Sequence, residues 1–382
     1  MELSTLREEI DSIDSELIAL FNRRMDACRR VADIKGASNI AVTDEKRERE
    51  VIERAVELSV EENRDAAEAL MKTLMELSKA LQNKRLINTG RKLKHEACNL
   101  RPDYKTAIIG LGLMGGSLAY ALRGFMGGKI TGYDINPEVR RAALERRAVD
   151  KNAASLEEAV EGADLVIFCT APGSVIENMR LALPFCKDGA VLTDICGVKK
   201  DVFAFISQNL PPQLEYAGLH PMAGKEVSGF ENAEAGLFRG AGFIIVVPES
   251  YKEETVGLLR ALSLYAGAGR VVVNREEEHD ALIAYTSDLM HISASALCAD
   301  YPENITMAHT AGAFRDCTRV ARIDALLWTE LFTKNAKNII ACLDIYTNNL
   351  LKFKEAMERD DKPFIHDFLQ KANDNKNKIL TL

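Results

Sequence analysis

The run Ala107-Ile-Ile-Gly-Leu-Gly-Leu-Met-Gly-Gly-Ser117 constrains this chain most: an apolar segment breaks into glycines and resumes as the helix-like Leu118-Ala-Tyr-Ala-Leu122. Gly110, Gly112 and Gly115 satisfy G-x-G-x-x-G. Read physically, a buried strand turns tightly at Gly110, leaves its backbone bare at Gly112 for a pyrophosphate, and lets the next helix pack closely at Gly115. Met114, in the same loop, joins these glycines in the candidate cofactor-binding set. A second apolar run, Lys129-Ile-Thr-Gly-Tyr-Asp134, ends in an acid 19 positions after Gly115. There a second strand presents a carboxylate to a ribose hydroxyl. The competing reading is a glycine turn with a chance acid downstream. An anionic Asp134 repels a 2′-phosphate, so the expected cofactor is NAD rather than NADP.

The 382 residues allow two or three domains, and 47% hydrophobic with 28% charged residues is an ordinary globular balance. No membrane span is expected, and the charged, amphipathic start Met1-Glu-Leu-Ser-Thr-Leu-Arg-Glu-Glu lacks a signal-peptide pattern. Eight cysteines scattered singly suggest reduced thiols in a cytoplasmic setting, with no metal site. A formal net charge of −8 argues against nucleic acid as a partner.

Leu3, Leu6, Ile10, Ile13, Leu17 and Leu20 alternate steps of three and four, and Ala27, Val31 and Ile34 continue the stripe to Gly36. One long helix follows, on the order of 50 Å at 1.5 Å per residue, whose apolar face requires another subunit. Arg24 interrupts that stripe, and a buried guanidinium implies a bound carboxylate or an internal acid. A second helical stretch puts Asp44, Arg47 and Glu48 on the face of Val51, Ile52 and Ala55. A third extends the face of Leu70, Met71, Leu74 and Leu77 with Ser78 and Gln82. Each charge alone reads as a solvated face or a salt bridge. Together they describe a polar pocket inside a helical bundle.

These residues resemble the AroQ-type chorismate mutase, an all-α bundle whose dimer shares active sites, over residues 1–90. The resemblance implies that Arg7, Arg24 and Arg47 clamp carboxylates, with Arg7 reaching into the partner's site. It also implies Lys35 and Gln82 as donors to the ether oxygen, Glu48 as acceptor for the ring hydroxyl, and Asp44 and Ser78 as further pocket residues. A pericyclic rearrangement needs no nucleophile and no proton transfer, only charges that hold a compact conformer and meet the breaking bond.

Residues 91–103 read as a basic, polar linker. After Asp134, helical Pro137–Arg147 and buried strands over 163–169 and 189–194 indicate a doubly wound α/β domain. Thr170-Ala-Pro172 follows a strand's carboxyl end and reads equally as a cofactor contact or an ordinary strand-to-helix turn. Gly218-Leu-His-Pro-Met-Ala-Gly224 places His220 in a loop punctuated by glycine and proline. With Glu278-His-Asp280, Leu289-Met-His291 and Ala311-Gly-Ala-Phe-Arg-Asp-Cys-Thr-Arg-Val320, it resembles the prephenate dehydrogenase family over residues 104–350.

That resemblance implies a Rossmann-type NAD domain over 104–275 and an all-α dimerisation domain over 276–382. It implies His220 as the base for a substrate hydroxyl, Arg319 as a carboxylate ligand and His291 as a second active-site histidine. Two positions depart from the family pattern. Gly197, in Thr193-Asp-Ile-Cys-Gly-Val-Lys199, stands where a hydroxyl commonly helps position the catalytic histidine, and Asp288 stands where many relatives carry histidine. Together the resemblances imply consecutive steps of tyrosine biosynthesis, chorismate to prephenate to 4-hydroxyphenylpyruvate, in a homodimer or higher homo-oligomer with no membrane partner. Three alternatives remain at this level: an arogenate or cyclohexadienyl dehydrogenase with a mutase-derived regulatory or dimerisation module, a β-hydroxyacid dehydrogenase, and an NAD-binding sensor.

Overall fold

In the computed structural model, which describes residues 3–38, 40–90 and 103–380, three helices come first: α1 (Leu3–Ala37), α2 (Glu45–Leu58) and α3 (Arg64–Asn88). Asp44 caps α2 by accepting the Arg47 backbone N–H at 3.0 Å, which explains where that helix begins. Along the 35 residues of α1 only Met25 and Ala32 are buried. Leu3, Ile10 and Leu17 of its apolar stripe are 65%, 56% and 53% exposed. Residues 91–102 of the expected linker lie outside the described residues.

A parallel sheet follows, built from β1 (Thr106–Ile109), β2 (Ile130–Tyr133), β3 (Lys151–Asn152), β4 (Leu165–Phe168), β5 (Val191–Asp194) and β6 (Glu215–Tyr216) in the order β3-β2-β1-β4-β5-β6. Helices α4 (Leu113–Ala121), α5 (Pro137–Glu145), α6 (Leu156–Val160), α7 (Pro172–Ala182) and α8 (Lys200–Asn209) connect the strands. Central strands are buried on both sides, yet their residues still alternate. Ile108, Leu165 and Ile167 enter one apolar cluster, while Ala107, Ile109, Val166 and Phe168 enter the other. The strand order reverses between β1 and β4, which opens a crevice at their carboxyl ends.

A second sheet differs from the sequence reading. Its order is β7 (Gly218–Met222), β8 (Gly242–Val247), β9 (Arg270–Arg275), with α9 (Glu253–Ala266) joining the parallel pair β8 and β9. His220 therefore lies on a strand, opposite Ile244, rather than in a loop. Pro221 is tolerated because β7 is an edge strand, where a missing N–H need not break a ladder.

The end of α3 is also more than the start of a linker. Leu86 and Ile87 are buried in the same apolar cluster as Ile108, Phe125 and Tyr265. The Asn88 side-chain oxygen accepts the Met126 N–H at 3.0 Å, and Lys84 Nζ donates to the Ala121 carbonyl at 3.2 Å above the Tyr265 ring.

The chain divides into two units, Met1–His279 and Asp280–Leu382. The boundary falls within α10 (Glu276–Ile283), and the second unit continues with α11 (Leu289–Ala299), α12 (Gly312–Thr318), α13 (Ala325–Lys334), α14 (Ala336–Glu358) and α15 (Lys362–Leu380). Between α10 and α11 runs a five-residue π-helical segment, Ala284–Asp288, within the region expected to be all-α. Among the described residues no helix is long and apolar enough to cross a membrane.

Candidate active sites

Each glycine of the first loop has its own physical reason. Gly110 has φ +91°, and a Cβ there would lie 2.9 Å from the Cys169 backbone. At Gly115 a Cβ would lie 1.9 Å from the Gly110 carbonyl oxygen, so only glycine lets α4 approach β1. Gly112, the N-cap of α4, has no atom within 4 Å of its missing Cβ. That open space beside a helix N-terminus fits a diphosphate. Asp134 follows β2, half-buried, with Oδ2 accepting the Leu111 N–H at 2.8 Å and Oδ1 accepting the Asn136 N–H at 2.9 Å. Each carboxylate oxygen retains a lone pair for a ribose hydroxyl. Met114 is half-buried within α4; Thr170 accepts from the Asn178 amide at 3.2 Å, and Pro172 opens α7. These residues suit a dinucleotide.

Behind His220 lies a charged network that the sequence reading missed. Lys199, fully buried, pairs with Asp194 at 2.6 Å and donates to the Leu219 carbonyl at 2.9 Å. The Tyr216 hydroxyl donates to the other Asp194 oxygen at 2.5 Å. Lysine ordinarily reads as solvated, so only its place between Val198 and the apolar face of α8 hinted at burial. His220 Nδ1 lies 3.0 Å from Nε2 of His279, itself fully buried. Burial first, then the neighbouring His279 and Lys199, push the His220 pKa well below 6.5. Its imidazole is therefore neutral at pH 7 and able to accept a proton.

In the second unit, His291 Nδ1 lies 2.8 Å from the Val320 carbonyl, and its ring packs on Trp328 at a centroid distance of 3.7 Å. A carbonyl only accepts, so Nδ1 carries the hydrogen of this contact. Arg319, exposed, begins a short 3₁₀ turn beside Val320. Asp288 is buried, accepts from the Asn335 amide at 2.8 Å, and is raised to about 6 by that burial.

Among the amino-terminal helices, Arg24 Nη1 donates to the Leu74 carbonyl at 3.1 Å and to the Ser78 hydroxyl. Among the described residues no carboxylate neutralises it, so the internal acid allowed by the sequence is not its partner. Lys35 Nζ donates to the Val42 carbonyl at 2.7 Å. Gln82 is buried with Oε1 unpartnered, a group that rotation of the amide exchanges for a donor. Glu48 pairs with Lys79 at 3.0 Å, a lysine absent from the sequence-based set. Arg47 is exposed and pairs with Glu50 at 3.2 Å, and Arg7 is exposed on α1. Within one protomer, then, Arg24 and Ser78 meet directly, whereas Arg7 and Arg47 face solvent.

Residues 6–83 match the chorismate mutase type II family. Residues 118–273 match the prephenate dehydrogenase nucleotide-binding domain, and residues 275–371 the prephenate dehydrogenase dimerization domain. The chain is 30% identical over 274 residues to the prephenate dehydrogenase of Bacillus subtilis (strain 168), covering 70% of this chain and 74% of that protein. It is 26% identical over 299 residues to the T-protein of Haemophilus influenzae, covering 77% of this chain and 69% of that protein. It is similar to the crystal structure of prephenate dehydrogenase from A. aeolicus in complex with hydroxyphenyl propionate and NAD+. That likeness has a TM-score of 0.64 and 27% identity, over 72% of this chain and 98% of that one. The chain therefore belongs to the prephenate dehydrogenase family and carries a chorismate mutase type II domain ahead of it, which makes it a bifunctional, NAD-dependent enzyme of tyrosine biosynthesis.

Proposed function

We propose that two separate sets of side chains carry the two steps, in domains spanning 1–90, 104–275 and 276–382 around a linker at 91–103. In the mutase step Arg24 binds a chorismate carboxylate. The observation that supports this is its guanidinium, held by a carbonyl and a hydroxyl that leave its charge uncompensated. Lys35 and Gln82 donate to the ether oxygen, Glu48 accepts from the ring hydroxyl, and Asp44, Arg47 and Ser78 complete the pocket. The exposed stripe of α1 supports a second copy of the chain as its cover, with Arg7 crossing into that copy's site. The cysteines scattered singly support a reducing, cytoplasmic setting.

In the second step Gly110, Gly112, Met114, Gly115, Thr170 and Pro172 seat the cofactor, and Asp134 accepts from its ribose. When bound, NAD supplies the hydride acceptor. His220 takes the proton of the ring C4 hydroxyl while the ring carboxylate leaves as CO2. Arg319 and His291 bind the substrate. What supports this reading is the placement of His220 on the edge strand β7, its Nδ1 3.0 Å from His279 Nε2, where burial lowers its pKa and favours the neutral ring that can accept a proton.

Chorismate given to the purified protein without NAD should stop at prephenate, and with NAD should proceed to NADH and 4-hydroxyphenylpyruvate. His220→Asn should leave the first step intact and cut kcat of the second by about a hundredfold to ten-thousandfold. The acid limb of wild-type kcat/KM should lie below pH 6.5, because burial lowers the base's pKa from that value. A folded His220→Asn protein that oxidises prephenate at the wild-type rate would transfer the role of base to His291.

A further inference from the structure

The contact between two imidazoles, His220 Nδ1 and His279 Nε2 at 3.0 Å, constrains the proton on each ring. Two facing ring nitrogens at that distance share one hydrogen; two would repel, and none would leave two lone pairs opposed. Two arrangements satisfy the rule. In one, His220 carries hydrogen on Nδ1 and donates to His279, leaving its Nε2 lone pair free. In the other, His279 donates, and His220 carries hydrogen on Nε2. Only the first can act as a base through Nε2.

We propose that His279 is the positioning residue that fixes His220 in its Nδ1–H tautomer. This rests on the reading of His220 as base. Two features of the fold support it. His279 is fully buried on α10, so its ring cannot swing into solvent. The backbone on the other side of His220 is pinned, because Lys199 holds the Leu219 carbonyl at 2.9 Å.

The proton balance is closed. The substrate O–H bond breaks, an N–H bond forms at His220 Nε2, and the Nδ1 hydrogen stays between the rings. His279 remains neutral throughout, because a hydrogen on its Nε2 would oppose the Nδ1–H of the imidazolium. A neutral acceptor also leaves the base weaker than a carboxylate partner would, so the proton is released again more readily.

The test combines spectroscopy with two substitutions in the full-length protein. Side-chain 15N NMR of the six histidines, with His220 assigned through His220→Asn, reads the tautomer directly. The Nδ1–H form is expected. The Nε2–H form, which free imidazole side chains prefer, would overturn the proposal whatever the variants do. His279→Gln places an amide oxygen near the former Nε2 and should keep kcat for prephenate oxidation within about tenfold of wild type. His279→Leu removes the acceptor and should lower kcat by about a hundredfold or more, with KM for prephenate, NAD affinity and mutase turnover unchanged. Wild-type kcat in a folded His279→Leu protein, or an equal loss in both variants, would overturn it. If His279→Leu does not fold, His279→Asn, whose amide is too short to reach, takes its place and should show the same loss. Failure of the underlying reading is distinguishable: His220→Asn would then retain kcat, whereas failure of this proposal alone leaves His220→Asn inactive and His279→Leu active.

Discussion

Alanine at Gly112 and at Gly115 should separate what glycine does for the cofactor from what it does for the fold. A methyl at Gly112 meets no atom within 4 Å, and its φ of −67° is ordinary for any residue. Removing glycine also reduces the freedom of the unfolded chain, favouring the fold by about 0.4–1 kcal/mol. Gly112→Ala should therefore melt no lower than wild type. The same methyl occupies the space a diphosphate oxygen needs to reach the backbone. Loss of one hydrogen bond to a charged group costs about 1.5–3 kcal/mol, roughly a tenfold to hundredfold rise in Kd for NAD. At Gly115 the methyl would start 1.9 Å from the Gly110 carbonyl, against the 3.4 Å at which ordinary contact begins. Helix α4 must then lift from β1 by about 1.5 Å (3.4 − 1.9). Overpacking of this kind costs about 1–3 kcal/mol, or roughly 2–4 °C of melting temperature per kcal/mol. Isothermal calorimetry with NAD and differential scanning calorimetry of the free proteins measure the two effects. Wild-type NAD affinity in Gly112→Ala, or a loss of stability matching that of Gly115→Ala, would refute the reasoning.

Arg24→Ala should abolish chorismate turnover, since an unpaired carboxylate in a buried site costs about 3–5 kcal/mol, while prephenate oxidation by the same preparation continues. Retained mutase activity would remove Arg24 from the pocket. Asp134→Asn keeps an acceptor but loses the charge that repels a 2′-phosphate; the ratio of kcat/KM for NADP over NAD should rise by about tenfold. An unchanged ratio would locate the ribose contact elsewhere. Burial raises the Asp288 carboxyl to about 6, well above the ordinary aspartate range, so the folded protein holds this proton more tightly than the unfolded chain. The stability it contributes is present at low pH and is lost as pH rises through about 6. Asp288→Asn, which preserves the Asn335 contact, should thus gain on the order of 2 kcal/mol at pH 7.5 and almost nothing at pH 4. Equal melting shifts at both pH values would contradict this.

The glycine loop was legible because its demands are local: a positive φ at Gly110 and a close approach at Gly115 are set by residues a few positions apart. His220 was legible as a motif but not as a strand residue. Glycine and proline on either side read as a loop, and the ladder to β8 that overrides them forms with residues some twenty positions later. Lys199 was invisible as a core residue because its burial depends on Asp194 and on a carbonyl from β7, brought together only by the fold. His279 stood within a quoted motif, yet its target is 59 residues away, beyond any periodicity argument. Among the helices, Arg24 betrayed itself by interrupting an apolar stripe, whereas Lys79 sits on a partly exposed surface where a lysine attracts no notice.

Helix α3 carries Ser78 and Gln82, the residues we propose for the mutase pocket, and, within two further turns, sets Leu86, Ile87 and Asn88 into the body of the nucleotide domain. On that proposal one rod is pocket wall at one end, and by its packing it is a keystone at the other. A lineage that deleted the amino-terminal helices would strip the apolar cluster around Phe125 and Tyr265 of its cover and leave the Met126 N–H without its acceptor. Such a deletion is viable only after compensating substitutions have refilled that notch. The joining of the two enzymes is thus written into the packing of the nucleotide domain and not only into the continuity of the chain.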